Sequence, residues 1–238
     1  MNTIPIDVFI LCGGLGTRLK SVTGINPKSL AKIGERPFLD ILISYLYRLG
    51  FRRFILGVGY KAELIKNHYQ NKEFGNIEIV LSEEHKPLGT GGAVKNAFPL
   101  FNSENTLVLN GDSFSDFKPT PLLELHNTRK ATATMLIRKA EGSSDYGVIE
   151  IDDNFRVVKY AEKVKPENST FINSGVYIFN KSVFSMMPDQ EAFSLERDLF
   201  PALVRGGSMF GLEHTGIFID IGTPDRYSQA TEKLSGYI

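Results

Sequence analysis

Short apolar runs alternate with amphipathic stretches through the first half of the chain. Runs of adjacent apolar residues bounded by glycine or charge predict buried strands, and apolar residues at helical spacing predict helices. The strands are expected at 6–11, 53–59, 77–82 and 106–112, and the helices at 37–50, 61–70 and 91–101. Strand–helix alternation of this kind predicts a parallel sheet with helices on both faces.

The pattern changes after residue 130, where strand-like stretches follow one another with little helix between them. These stretches occupy 131–138, 147–152, 155–163 and 171–179, and a helix (194–204), a strand (216–222) and a closing helix from Pro224 follow. They predict antiparallel or mixed additions to the same sheet. We therefore predict one α/β domain spanning 1–238, with a Rossmann-like, mixed but mainly parallel sheet. Residues 1–130 are expected to bind mainly nucleotide and residues 131–238 mainly the second substrate.

Composition limits the compartment and the class of partner. Lys plus Arg and Asp plus Glu number 27 each, so the net charge is zero, whereas a dedicated nucleic-acid binder would carry a basic excess. The single cysteine, Cys12, cannot form an intrachain disulfide, which is typical of a reducing compartment, and we interpret it as a small buried hydrophobe. No apolar stretch approaches the length of a membrane span, and the N-terminus lacks the basic region of a signal peptide. The sequence thus predicts a cytoplasmic protein with no nucleic-acid and no membrane partner.

The stretch LCGGLGTRLKS, residues 11–21, places three glycines directly after the first strand. A phosphate-binding P-loop needs G-x-x-x-x-G-K-[ST], which has no match near this strand. The dinucleotide fingerprint G-x-G-x-x-G fits at Gly14 and Gly16, but Leu19 stands where the third glycine belongs. A third interpretation takes the loop together with NPKSL at 26–30: backbone N–H groups cradle an anion, to which Arg18 and Lys28 bring two cations. A tight turn with two solvated charges is the remaining alternative.

Eight motifs, in order along nearly the whole chain, resemble the sugar-1-phosphate nucleotidyltransferase family. They are LCGGLGTRL, NPKSL, EEHKPLGTGGA, LVLNGDS, YGVIE, EK, NSGVYIF and FIDIGTPDRY. The chain departs from the family at Ser21 and Ser29, where proline is common. Within the family it is most similar to short bacterial heptose 1-phosphate guanylyltransferases, and members that activate mannose or N-acetylmuramate phosphates are also similar. We expect no β-helix extension after the closing helix and therefore no second acyltransferase activity.

The resemblance implies that a sugar 1-phosphate attacks the α-phosphorus of an NTP, giving an NDP-sugar for surface polysaccharide synthesis and releasing pyrophosphate. A phosphate monoester has its second pKa at about 6, so the nucleophile is mainly a dianion at neutral pH and needs no general base. Such catalysis depends on positioning and charge neutralisation, and Mg²⁺ is the expected cofactor. Asp112 follows an apolar strand and suits Mg²⁺, and Asp220 would be the second ligand. A turn or cap role for Asp112 and an ion pair for Asp220 are the structural alternatives.

The resemblance also implies the roles of the binding residues. Arg18 is expected to hold the β- and γ-phosphates, Lys28 the α-phosphate and Lys163 the sugar phosphate. Arg18, Lys28 and Asp112 form the expected catalytic set. The expected nucleotide-binding set is Leu11, Gly13, Gly14, Gly16, Thr17, Arg18, Glu84, Gly89, Thr90 and Gly111, and the sugar-phosphate set is Gly147, Glu162, Lys163 and Asn173. The glycines of LGTGG, 88–92, are expected to let backbone groups meet the base and the ribose.

Glu84 stands five residues before Gly89, where family members place a side chain facing the base edge, so the resemblance implies that Glu84 selects the base. Guanine presents two neighbouring donors, N1–H and N2–H₂, which a carboxylate can accept together, whereas a glutamine amide would suit uracil or thymine better. The favoured substrates are therefore GTP and, by resemblance, D-glycero-D-manno-heptose 1-phosphate. A solvated Glu84, with the backbone of Leu88–Gly89 contacting the base, is the alternative.

Other functions stay open at this point. They are a mannose 1-phosphate guanylyltransferase, an N-acetylmuramate or hexose 1-phosphate uridylyl- or thymidylyltransferase, and a non-catalytic nucleotide-sugar sensor. An NAD-dependent oxidoreductase is a further candidate, against which Leu19 argues. The sequence does not fix the oligomeric state and leaves a homodimer open.

Overall fold

The computed structural model describes residues 3–14, 16–19, 24, 26–70, 75–140, 147–162 and 171–238. The strands in these ranges are β1 (Asp7–Leu11), β2 (Lys32–Ile33), β3 (Arg36–Pro37), β4 (Arg53–Val58), β5 (Glu78–Glu83), β6 (Asn105–Asn110), β7 (Ser113–Ser115), β8 (Ala133–Lys139), β9 (Val148–Ile151), β10 (Val157–Ala161), β11 (Phe171–Asn180), β12 (Met209–Glu213) and β13 (Phe218–Asp220). The α-helices are α1 (Phe38–Leu49), α2 (Ala62–Gln70), α3 (Gly89–Ala97), α4 (Pro119–Thr128), α5 (Phe200–Arg205) and α6 (Pro224–Lys233).

A nine-stranded sheet forms the centre of the molecule. The strands of the first half run in the order β6-β1-β4-β5 and are parallel to one another. Leu11 at the end of β1 is in register with Gly57 on one side and Asn110 on the other, so these strands end level with one another. Ligands of such sheets bind beyond the carboxyl ends of the strands. The loops after β1, β4 and β6 therefore share one edge of the sheet, as the sequence predicts.

The second half extends this sheet with antiparallel strands. Strand β11 pairs antiparallel with β6, β8 and β9, and β10 pairs antiparallel with β9. Strand β12 then joins parallel to β8. The predicted α/β class with a mixed sheet is confirmed. Helix α4 and strand β12 were not predicted from the sequence, and neither were the short strands β2, β3 and β7.

Alternate residues of the buried strands enter two apolar layers. Val8 and Ile10 of β1 pack with residues of α1 on one face of the sheet, and Phe9 packs with residues of α3 on the other. Helix α1 ends at Gly50, whose φ of 110° gives the left-handed C-cap that glycine adopts without strain. Helices therefore cover both faces, as the strand–helix alternation predicts.

Three predicted segments differ in the structure. The helix expected at 91–101 is α3 followed by a 3₁₀ turn at Phe98–Leu100, since Pro99 has no N–H with which to continue the helix. The helix expected at 194–204 divides into a π-turn, Leu195–Leu199, and α5, because Pro201 cannot donate to a carbonyl of the preceding turn. The strand expected at 216–222 does not join the main sheet: β13 pairs antiparallel with β7 in a separate two-stranded sheet.

Within the described ranges, no helix combines the length and the apolarity needed to cross a membrane.

Candidate active site

Three cavities open at the carboxyl edge of the parallel strands, and Asp112 lines all of them. Their volumes are about 520, 180 and 560 Å³. We call them the first, second and third cavity. Of the residues expected from the sequence, Leu11, Gly13, Gly14, Glu84, Gly89 and Thr90 line the first, Gly16, Arg18, Lys28 and Gly111 line the second, and Gly147, Glu162, Asn173 and Asp220 line the third. The structure thus brings most of the expected nucleotide-binding and sugar-phosphate residues that it describes together around one carboxylate.

The glycine loop after β1 approaches two functional side chains closely. A Cβ at Gly13 would lie 2.6 Å from Glu84 Oε1. A Cβ at Gly16, whose φ is +59°, would lie 3.2 Å from Lys28 Cβ. Gly14, by contrast, faces open space at the first and second cavities. The glycines of the loop therefore allow close packing at Gly13 and Gly16, and Gly14 leaves space in the cavities that a side chain would fill.

Arg18 lies in the short turn Thr17–Leu19, where its side chain is exposed. It lines the second and third cavities together with Lys28. Arg18 and Lys28, the two cations of the anion-binding interpretation of the loop, thus face the same two cavities. The side chain of Thr17, like Ser21, falls outside the described residues.

Glu84 is half-buried at the wall of the first cavity. Its Oε2 accepts a hydrogen bond from Leu88 N–H at 3.2 Å, and its Oε1 lies over Gly13. Burial raises the pKa of the Glu84 carboxyl, and the hydrogen bond from Leu88 opposes this shift. Glu84 is therefore held by its surroundings and is not a freely solvated loop charge.

The glycines of LGTGG serve packing within the protein. A Cβ at Gly91 would lie 2.2 Å from the ring of Phe193, and one at Gly92 would lie 2.4 Å from the carbonyl oxygen of Glu191. Gly91 and Gly92 also donate their N–H groups to the Phe193 carbonyl, at 3.0 and 3.2 Å. The expectation that these glycines exist for the base and the ribose is wrong for Gly91 and Gly92, since the segment around Phe193 occupies the space they leave. Gly89 does line the first cavity.

Replacing Gly92 by alanine should destabilise the protein, because the new methyl group would meet backbone rather than a movable side chain. Overpacking of this kind costs about 1–3 kcal/mol, which exceeds the gain of roughly 0.5–1 kcal/mol from alanine in a helix. Urea unfolding would show a lower midpoint with an unchanged slope.

Gly14→Ala is the matched control for Gly92→Ala. Its methyl group would enter open space, so the free energy of unfolding should stay within about 1 kcal/mol of the wild type. Because Gly14 lines the first cavity, the variant should instead raise the KM for the nucleotide. Equal stability of the two variants would contradict this account of the glycines.

Lys28 and Asp112 form an ion pair at the junction of the cavities, with Lys28 Nζ 2.6 Å from Asp112 Oδ2. The Lys28 side chain is 12% exposed and that of Asp112 43%. A Cβ at Gly222 would lie 3.5 Å from Lys28 Nζ and 2.6 Å from Asp220 Oδ1. The ammonium group therefore lies close to both carboxylates that the sequence suggested as metal ligands.

Asp220 is held by neighbours on its own segment. Both of its carboxylate oxygens accept from the Arg226 guanidinium at 3.1 Å, and Oδ1 also accepts from Gly222 N–H at 2.8 Å. The ion pair considered as the structural alternative is therefore present. Asp220 approaches Asp112 through the antiparallel pairing of β13 with β7, and Ile221 N–H donates to the Asp112 carbonyl at 2.9 Å.

The donor set at this junction fits a hard cation that is bound mainly by substrate. In the ranges that the structure describes, no group of three or more His, Cys, Asp and Glu side chains could hold a metal ion. Mg²⁺ commonly takes only one or two carboxylates from the protein and completes its shell with water and phosphate oxygens. The ion pair with the Lys28 ammonium shows that the Asp112 carboxylate is placed to bind a cation. Asp112, with Asp220 nearby, therefore fits a divalent ion that arrives with the nucleotide.

The third cavity contains the residues expected around the sugar. Glu162 Oε1 accepts a hydrogen bond from the Tyr160 hydroxyl, and a Cβ at Gly147 would lie 2.6 Å from each of these oxygens. Asn173 donates to the Tyr177 hydroxyl at 2.7 Å and accepts from Gly175 N–H at 2.9 Å.

Gly147 is thus needed for the close approach of Glu162. Asn173 links Tyr177 and the Gly175 backbone by hydrogen bonds within the protein. Lys163, expected at the sugar phosphate, lies outside the described residues.

Several residues that line these cavities were not among the predicted site residues. They include Asn110, Glu196, Arg197, Gly222 and Arg226. Asn110, Gly222 and Arg226 belong to motifs quoted from the sequence, so the motifs themselves could have identified them. Glu196 and Arg197 follow no such signal.

Cys12 is buried beside Gly111, and burial raises the pKa of its thiol to about 12. A thiol with that pKa stays protonated at neutral pH and is a poor nucleophile. The interpretation of Cys12 as a small buried hydrophobe agrees with this environment.

The chain belongs to the nucleotidyl transferase family, whose model matches residues 7–236. It is similar to the D-glycero-alpha-D-manno-heptose 1-phosphate guanylyltransferase of Aneurinibacillus thermoaerophilus, with 37% identity over 98% of this chain and 100% of that protein. The mannose-1-phosphate guanylyltransferase of Mycobacterium tuberculosis is 30% identical over 98% of this chain and 66% of that protein.

Among solved structures, HddC from Yersinia pseudotuberculosis matches with a TM-score of 0.84 and 36% identity, over 96% of this chain and 99% of that chain. The complex of HddC with GMP-PN matches with a TM-score of 0.83. These matches confirm the predicted family, fold class and enzyme class: a sugar-1-phosphate nucleotidyltransferase.

Proposed function

We propose that the protein transfers the guanylyl group of GTP to D-glycero-D-manno-heptose 1-phosphate, giving the GDP-sugar and pyrophosphate. The observation that carries this proposal is the meeting of three cavities at Asp112. Two large cavities joined by a smaller, cation-lined one suit a reaction between two phosphorylated molecules held in contact. The relatives named as heptose 1-phosphate guanylyltransferase, and the relative solved with GMP-PN, support guanine and the heptose.

In this proposal the base and ribose occupy the first cavity, the phosphates the second, and the sugar the third. Arg18 and Lys28 neutralise the phosphates and hold the α-phosphorus in line with the incoming sugar-phosphate oxygen. The sugar-phosphate dianion is the nucleophile, so no side chain has to remove a proton. Lys163 is proposed to bind the sugar phosphate.

Asp112 and Asp220 would hold the divalent cation, which we propose to be Mg²⁺. When bound, Mg²⁺ supplies charge neutralisation at the phosphate oxygens. The cytoplasm is the compartment we propose, since the single thiol, Cys12, suits a reducing environment.

Glu84→Gln should weaken the preference for GTP over UTP. The ionised carboxylate can accept from the two neighbouring donors of guanine, whereas an amide offers one acceptor and one donor group. Because a polar site rejects a mismatched partner strongly, we expect the ratio of kcat/KM for GTP to that for UTP to fall by about tenfold or more. Glu83→Gln, one residue away and outside the first cavity, is the control. A wild-type protein that prefers UTP or dTTP, or an unchanged ratio in Glu84→Gln, would refute this role.

The proposed function is tested by pyrophosphate release over a matrix of the four common NTPs and several sugar 1-phosphates. The proposal predicts the highest kcat/KM for GTP with the heptose 1-phosphate. Mannose 1-phosphate is the second candidate, because the similar M. tuberculosis protein is named a mannose-1-phosphate guanylyltransferase. Nucleotide binding without pyrophosphate release from any pair would identify a sensor instead.

A further inference from the structure

Glu196 lies where the first and third cavities meet, and its half-buried carboxylate lines both. One oxygen, Oε2, accepts from the hydroxyls of Thr90 at 2.7 Å and Ser194 at 2.6 Å. Within the described part of the chain, neither hydrogen bond nor ion pair reaches the other oxygen, Oε1. Two hydroxyl groups thus fix the carboxylate and leave one oxygen available to a ligand.

The two hydroxyls are themselves held in place by the backbone. The Thr90 hydroxyl accepts from Leu195 N–H at 2.9 Å, and the Ser194 hydroxyl accepts from Arg197 N–H at 3.3 Å. A hydroxyl has one proton to donate, and the Thr90 and Ser194 hydroxyls each donate theirs to Glu196. The Thr90 hydroxyl therefore has no proton left to donate to the nucleotide, although Thr90 lines the first cavity and was expected to bind it.

A second carboxylate in the third cavity is held in the same manner. The Tyr160 hydroxyl donates to Glu162 Oε1. The pKa of Tyr160 and of Tyr177 is raised, mainly by burial and further by the negative charges of Glu162 and Glu196. Both carboxylates therefore lie near the same two rings.

Charged groups of both signs line the third cavity. Glu162 and Glu196 offer acceptors only, as do Asp112 and Asp220, and the donors are Arg18, Lys28, Arg197 and Arg226. A phosphate has acceptors and negative charge, so it belongs with the cations and is repelled by the carboxylates. The ring of a sugar offers hydroxyl donors, which match ionised carboxylates.

We propose that Glu196 determines sugar specificity by accepting a hydrogen bond from a ring hydroxyl of the sugar 1-phosphate. Thr90 acts through Glu196 as a positioning residue for the sugar. The inference rests on the proposed function, in that a sugar 1-phosphate occupies the third cavity. It adds a recognition residue that none of the quoted motifs contains.

Glu196→Gln keeps the size of the side chain and removes its charge. Hydrogen bonds to charged groups are stronger than those between neutral groups, so we expect the KM for the sugar 1-phosphate to rise by about tenfold. The KM for GTP should stay within about twofold, as should kcat, since a hydroxyl contact away from the reacting phosphates contributes to binding. Asp189→Asn, an exposed carboxylate on the same segment, is the control and should leave both KM values unchanged.

Monodeoxy analogues of the preferred sugar 1-phosphate identify the contact directly. The analogue that lacks the partner hydroxyl should have a higher KM than the intact sugar 1-phosphate with the wild type. With Glu196→Gln, the analogue and the intact sugar 1-phosphate should have the same KM, so that the effects of the substitution and of the missing hydroxyl are not additive. Thr90→Val should raise the KM for the sugar 1-phosphate more than that for GTP.

Two results separate the possible failures. The first result is a wild-type protein that turns over while Glu196→Gln raises the KM equally for every deoxy analogue, or does not raise it at all. This result would overturn this inference alone. A wild-type protein without turnover for any sugar 1-phosphate would overturn the proposed function and this inference with it.

Discussion

Asp112→Asn is expected to lower kcat by a factor of at least about a thousand, equivalent to about 4 kcal/mol of barrier. Asp112 lines all three cavities and is 43% exposed, so its carboxylate is accessible to bound phosphates and their cation. Asparagine keeps the shape but cannot neutralise positive charge. Turnover of the wild type should also stop with a chelator and return with Mg²⁺.

The fold of Asp112→Asn should persist, because a partly exposed ion pair contributes only about 1 kcal/mol or less to stability. Circular dichroism and urea unfolding would check this. Asp153→Asn, an exposed carboxylate in a turn outside the cavities, should keep wild-type activity. Near-normal rates in Asp112→Asn, or turnover that ignores the chelator, would remove Asp112 from the catalytic set.

Lys28→Met is expected to lower kcat by about a hundredfold to a thousandfold. The Lys28 ammonium lies in the second cavity with its side chain 12% exposed, and a charge fixed in a partly dehydrated site stabilises developing negative charge strongly. Methionine keeps the aliphatic contact that Lys28 makes beneath Gly16. The effect is measured as kcat at saturating concentrations of both substrates.

The double variant Lys28→Met/Asp112→Asn separates two roles of Lys28. If Lys28 acts on phosphate, the single variant is impaired although Asp112 is intact, and the double variant is slower than Asp112→Asn alone. If Lys28 only pairs with Asp112, the double variant is no slower than Asp112→Asn. Lys233→Met, exposed at the end of α6, is the control. A Lys28→Met enzyme within a few-fold of the wild type would mean that Lys28 only pairs with Asp112.

The nucleotide-binding part of the site could be predicted from the sequence because its residues lie at strand ends or close to them along the chain. Apolar runs ending in glycine or polar residues mark the ends of β1, β4 and β6, and parallel register makes those ends adjacent. Arg18 and Lys28 then follow from their short distance along the chain to the glycine loop. Helix α1, with its apolar spacing and Gly50 cap, was predictable for the same reason.

Relations between distant segments were not predictable in this way. The apolar run containing Asp220 is typical of a strand, but nothing in three paired residues indicates that the partner is β7 and that the pairing is antiparallel. Gly91 and Gly92 carry no sign that Phe193 will pack on them.

Glu196 was missed because a glutamate in a helix-like stretch is ordinarily a solvated charge. Its significance depends on Thr90, which is 106 positions away along the chain. Such a contact becomes visible only when the segment around Phe193 is seen against the start of α3.

The central claim is that a sugar-phosphate oxygen attacks the α-phosphorus of GTP at the junction of the cavities. It is tested by turnover with sugar 1-phosphate whose three non-bridging phosphate oxygens carry a heavy isotope, followed by mass spectrometry of both products. Because the sugar phosphate is the nucleophile and pyrophosphate the leaving group, all three labelled oxygens should appear in the GDP-sugar and none in the pyrophosphate. Label in the pyrophosphate, or a GDP-sugar that has lost label, would contradict this account.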